Sequence, residues 1–215
     1  LSSETTESTI RFETEAAKRN MPEIAWPTIL LALGLLAGFG LSCWGALSGV
    51  LPFWAAALAN TVFIYALYTP VHDACHSAIV ARAKGLRWVN TAIGMASAAP
   101  LWMFFHEHRK AHFKHHARTN KADDPDLWAK GSFARVTLIQ IPWLLVNYFN
   151  PVALWRACTG LRLSAAERWG TMALFALNVA IVAGIVAAGY GVELVILWLI
   201  PWFIGLHVMQ TLFGW

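Results

Sequence analysis

Seven of the eight histidines in this 215-residue sequence fall between positions 72 and 116, and imidazole is the commonest side-chain ligand for transition metals. In His72-Asp-Ala-Cys-His76 the two rings are four residues apart. On a helix they stand one above the other, so two nitrogens can point at one ion. In His112-Phe-Lys-His115-His116 spacings of three and four again gather the rings on one helical face. That face admits His108 and leaves His106 near the opposite side. A single histidine in an apolar protein is ordinarily a hydrogen-bonded structural group or an interfacial anchor, and this is the expectation for His106 or His108 alone. Five residues in two groups, each at ligand spacing, form a metal-site pattern. Rich in imidazole, poor in carboxylate and free of thiolate, such a set suits iron, zinc, copper or nickel rather than calcium or magnesium.

The chain that must position these groups is 58% hydrophobic and 13% charged, against about 45–50% and 25% for a soluble domain, which makes it a membrane protein. Its net charge of +4 does not point to nucleic acid, because no solvated basic domain exists to carry it. All sixteen Lys and Arg lie in 11–19 or 82–168, a positive-inside signature of topology. Residues 1–20, rich in Ser and Thr, are expected to be a disordered cytoplasmic tail. Apolar runs predict four spans, 27–47, 53–68, 169–188 and 192–213, paired into two hairpins whose outer turns lack Lys and Arg. The first run is too long for a secretory signal peptide and lacks its cleavage site. Two further apolar stretches, 89–105 and 136–148, are interrupted by Pro100 and Pro142 and are expected to lie at the cytoplasmic interface. A crossing at 89–105 would put Arg87 and Arg109 on opposite sides and separate His72 from His112. The fold class is therefore all-α: four transmembrane helices in two hairpins, with a cytoplasmic histidine-rich helical region between them. Cys43, Cys75 and Cys158 have no paired spacing and read as packing residues.

With these residues in view, His72-Asp-Ala-Cys-His76 and His112-Phe-Lys-His115-His116-Ala-Arg-Thr-Asn-Lys-Ala-Asp-Asp-Pro-Asp126 resemble the first two histidine boxes of the membrane fatty acid desaturase superfamily, which includes carotenoid hydroxylases and ketolases. The resemblance implies two non-haem iron ions held at the cytoplasmic side of four spans, with dioxygen as co-substrate and two external electrons per turnover. It assigns His72 and His76 to box one and His112, His115 and His116 to box two. It also offers His207, in span four and about 22 Å from the outer turn by helical rise, as an extra histidine ahead of a third box. An ionisable group at that depth is a functional candidate in its own right, though a hydrogen bond to a neighbouring helix would equally explain it. The family's third box, of the HxxHH kind, has no counterpart before Trp215, so residues 21–215 are expected to be a truncated desaturase-like domain.

Removing hydrogen from an unactivated methylene needs an oxidant stronger than any side chain, so the protein's part is to supply ligands and a pocket. Asp73 and Asp126 are the nearest carboxylates to accept the second ring N–H of a ligating histidine; a helix cap is the other reading of Asp126. Arg109, Lys110, Lys114 and Arg118 would form a solvated face or meet lipid phosphates or an acidic donor. Gly34, Gly38, Trp54, Phe63, Tyr65, Trp198 and Trp202 could line a channel for a lipid or acyl chain, although helix packing and interfacial anchoring explain such patterns more often. The HxxxH form of box one resembles acyl-lipid desaturases and carotenoid enzymes more than acyl-CoA enzymes. The expected activity is therefore introduction of a double bond into a fatty acyl chain. A carotenoid hydroxylase or ketolase is the alternative, and a metal-binding membrane transporter a distant one. No GxGxxG or fused haem motif appears, so electrons are expected from a partner, which the resemblance implies to be of ferredoxin, rubredoxin or cytochrome b5 type.

Overall fold

The computed structural model describes residues 22–126 and 131–213, so the expected tail at 1–20 lies outside it. Every named element among the described residues is helical. Helix α1 (Trp26–Leu47) opens with Pro27 in its first turn, where the missing N–H costs nothing. It turns at Ser48 and Gly49 into α2 (Phe53–Cys75). Close approach within this hairpin requires Gly38, since a Cβ there would sit 2.8 Å from the Phe63 ring. Gly38 and Phe63 thus serve helix packing.

Helix α2 continues unbroken beyond the predicted end at 68, carrying His72 in its last turn and His76 at its C-cap. The segment that follows is fastened to α3 (Trp88–Ala98). The buried Asn90 amide donates to Val80 O at 3.0 Å and accepts from Val80 N at 3.1 Å. Eleven residues rise about 16 Å, too little to cross a bilayer. Helix α3 ends ahead of Pro100, and an elbow at 99–104, with Trp102 at φ 53°, leads into α4 (Phe105–Arg118). Gly94 lets Phe105 dock on α3, for any Cβ there would collide with the ring. The histidine helix is thereby seated at its first residue.

Helix α5 (Phe133–Arg135) runs through a π turn at Val136–Gln140 into α6 (Ile141–Tyr148). Pro142 therefore does not break this stretch. A proline removes the bond to the carbonyl one turn back and crowds that carbonyl, and a widened turn just before it relieves both. Helix α7 (Pro151–Gly160) is capped by Asn150. Helix α8 (Ala165–Ala187) begins four residues before the predicted span because Ser164 and Glu167 close a capping box there. Helix α9 (Gly191–Leu194), a second π turn at Val195–Leu199 ahead of Pro201, and α10 (Ile200–Phe213) complete the described residues.

Among the described residues, four helices are long and apolar enough to span a membrane: Trp26–Leu47, Phe53–Cys75, Ala165–Ala187 and Gly191–Val208. They leave large apolar side chains exposed, among them Leu30, Leu33, Leu58, Val62, Leu177 and Ile181, as a hydrocarbon solvent permits. The shared core runs from Ile64, Leu67 and Val71 of α2 through the 99–104 elbow to Phe175 and Trp202. Trp198 and Trp202 donate their indole N–H groups to Pro100 O and Leu101 O, at 2.8 and 2.6 Å. These two tryptophans anchor the elbow that aims α4.

Candidate metal centre

Four rings meet where the end of α2 faces the second half of α4. His72, His76, His112 and His116 each contribute one ring nitrogen, and these nitrogens all lie within 4.8 Å of one another. His112 is central and buried. Its Nε2 lies 2.9 Å from Nε2 of His76 and 3.0 Å from Nε2 of His116. A neutral ring nitrogen offers one proton or one in-plane lone pair, so His112 cannot make good hydrogen bonds to both neighbours through this atom. A cation would satisfy all three lone pairs. The donor set therefore fits a transition metal, and its imidazole-only chemistry fits iron or zinc better than a hard oxygen-seeking ion.

The surroundings hold two of these rings, His112 and His76, in the ligating form. Burial, followed by the charges that His108, His116, His72 and His76 would carry, pushes the His112 imidazole down to about 3. His76 is lowered by the same causes, burial first and then His72 and His116. A ring that resists protonation keeps its lone pair for a metal.

His115 belongs to a different group. Its Nδ1 lies 2.8 Å from Asp124 Oδ1 and 3.4 Å from Asp126 Oδ2. Burial alone would raise the Asp124 carboxyl. The His115 bond and the backbone N–H groups of Asp126 and Asn120 hold it below the ordinary value instead. With the proton of His115 fixed on Nδ1, its Nε2 is left as the acceptor. Asp126 thus lies near His115, but the closer carboxylate is Asp124. Asp73 accepts from Thr28 Oγ1 at 3.0 Å, and its other oxygen lies 3.8 Å from His72 Nδ1.

His207 lies apart from the four-ring group, with its ring 5.4 Å from that of Phe133. His106 turns the other way on α4, into a groove with Met95 and with Glu167, Gly170 and Leu174 of α8. His108 is half-buried against the cluster: its ring stacks on His112 at 5.9 Å and meets Tyr68 edge-on at 5.8 Å. Burial, then the neighbouring His72, lowers it to about 4. Glu107, which sequence reasoning did not single out, is lifted to about 7 by burial and by the charge of Asp126. Of the four basic residues read as an outer face, Arg118 pairs with Asp123 at 3.0 Å in solvent, whereas Arg109 turns inward.

The family model described as fatty acid desaturase matches residues 48–215. Over 121 residues the chain is 30% identical to the sn-1 oleoyl-lipid 12-desaturase of Synechocystis sp.. The matched stretch is 54% of this chain, and the chain spans about 30% of that relative's length.

Proposed function

The chain belongs to the fatty acid desaturase family, and from that premise we propose that it is an oxygen-dependent, non-haem di-iron oxidoreductase that introduces a double bond into a fatty acyl chain of a membrane lipid. The observation that carries this reading is the convergence of four imidazoles within 4.8 Å at the end of a membrane-spanning helix. Iron bound there would supply the oxidising power that no side chain has.

The chain's own residues do the rest. His72, His76, His112 and His116 hold metal, and His115 joins them through Nε2 while Asp124 and Asp126 fix its tautomer. His207 stands as a further ligand candidate, and Asp73 as the carboxylate that orients His72. Span helices α1, α2 and α8 present apolar surface to lipid, so an acyl chain reaches the site from the bilayer. The confinement of Lys and Arg to 11–19 and 82–168 supports a cytoplasmic metal centre and N-terminus. There an external carrier of ferredoxin, rubredoxin or cytochrome b5 type delivers electrons.

The test is purification of the full-length protein from cells grown with iron. Metal is assayed by mass spectrometry, oxygen uptake with a reductant is followed, and lipids of expressing cells are compared with those of a His112→Ala strain. Iron-dependent oxygen use and new acyl double bonds are expected, both lost in the variant. Oxygenated carotenoids in place of new double bonds would move the activity to the hydroxylase reading. Bound zinc without oxygen use, together with metal movement across vesicles, would end the enzyme reading.

A further inference from the structure

The last carbonyls of a helix have no N–H within the helix to bond, and the end of α2 disposes of its own in sequence. Ala78 N–H reaches Asp73 O at 2.9 Å and Ser77 N–H reaches Ala74 O at 3.0 Å. Ser77 sits in the left-handed region at φ 56°, a position that usually falls to glycine. The Cys75 carbonyl takes its donor from another element: Arg109 Nε on α4, at 2.9 Å. The same guanidinium donates through Nη2 to Ser77 Oγ, also at 2.9 Å. Serine in place of glycine thus gains an acceptor for Arg109.

Arg109 therefore grips the residues immediately before and after His76. It is also three positions ahead of His112 on the second ligand helix. Its charged head lies over the Phe113 ring at 5.7 Å, and Phe113 in turn meets the His76 ring edge-on at 5.5 Å. Backbone and ring of His76 are both braced from α4, the element that carries its partner nitrogen.

We infer that Arg109 is a positioning residue of the metal centre, a two-point clamp that locks the end of the box-one helix to the box-two helix and fixes His76 against His112. This rests on the metal-centre reading above. Lysine cannot replace it, because an ammonium is a point donor whereas the guanidinium is a rigid fork that reaches two acceptors at once.

The experiment uses full-length protein in detergent, with Co2+ as the probe of both affinity and ligand geometry. In Arg109→Lys and Arg109→Met, cobalt affinity is expected to fall about tenfold or more and the visible ligand-field bands to shift. Ser77→Ala, which removes one of the two anchors, should give a smaller loss. Arg118→Ala on the exposed side of the same helix should bind as wild type. If Arg109→Met fails to fold, Arg109→Lys and Ser77→Ala carry the comparison, with thermal melting of the metal-free forms showing that the fold survives. Wild-type affinity and spectrum in the folded Arg109 and Ser77 variants would overturn the assignment of Arg109 alone. A wild-type protein that takes up no cobalt would remove the metal-centre reading beneath it.

Discussion

His115 and His116 are sequence neighbours yet do different work, and the helix explains why. Consecutive residues point about 100° apart. His116, one turn beyond His112, falls under it and into the four-ring group, while His115 points to the edge of that face and meets the Asp-rich segment. The tightly held Asp124 fixes one nitrogen of His115 and leaves the other free. Replacing it by a neutral isostere should therefore weaken metal binding without removing a ligand. Asp124→Asn is expected to cost about 10–100-fold in metal affinity, the range for such supporting partners, measured by competition with a chelator. Unchanged affinity would leave Asp124 as only a turn-forming residue. Asp73 adjoins His72 in sequence, whereas Asp123, Asp124 and Asp126 all lie seven to ten residues beyond His116 and look alike there. Asp124 needed its backbone bonds with Asn120 and Asp126 to be distinguished from its neighbours.

The elements show how prolines inside apolar helices can be used rather than merely tolerated. Pro201 has no N–H to give the Leu197 carbonyl one turn earlier. Asn60, buried in α2, donates its amide to that carbonyl at 2.8 Å. In a bilayer such a bond joins two spans and covers a polar group that lipid cannot satisfy. Asn60→Leu should lower the stability of the folded protein by about 0.6 to 1.7 kcal/mol, the average and upper values for interhelical hydrogen bonds in membranes, read from reversible unfolding in mixed micelles. No change would mean that the Leu197 carbonyl is adequately served within its own helix. The π turn that accompanies Pro201 lies in the same stretch as Trp198, and Trp198 and Trp202 reach the elbow carbonyls. A span far away in sequence thereby helps to set the entry of the histidine helix. Aromatic content alone left a lipid channel open beside the commoner helix packing, because composition does not say which carbonyl an indole meets.

Across the whole molecule, the metal-free centre carries a cost that appears in acid. His76, His108 and His112 are held below the ordinary histidine value of about 6.5. As pH falls from about 6.5 toward 5.5, the unfolded chain takes up protons that the folded chain refuses, and stability drops. Glu107, raised to about 7, acts in the opposite sense over this window, but one carboxyl is outnumbered by three imidazoles. The melting temperature of metal-free protein should therefore be lower at pH 5.5 than at pH 7.5, and a flat or rising profile would contradict the burial of these rings. Much of the architecture was determined by the sequence alone. Hydropathy and the placement of Lys and Arg prescribe four spans in two hairpins, because a bilayer accepts little else. The i, i+4 histidines declare a metal face, because the helical repeat is the same wherever the helix lies. Tertiary structure alone decided which rings share one point, that Asp124 orients His115, and that Arg109 closes the end of α2. Each of those depends on where one helix axis crosses another, a distance that accumulates through elbows, caps and π turns and leaves no periodic trace in the chain.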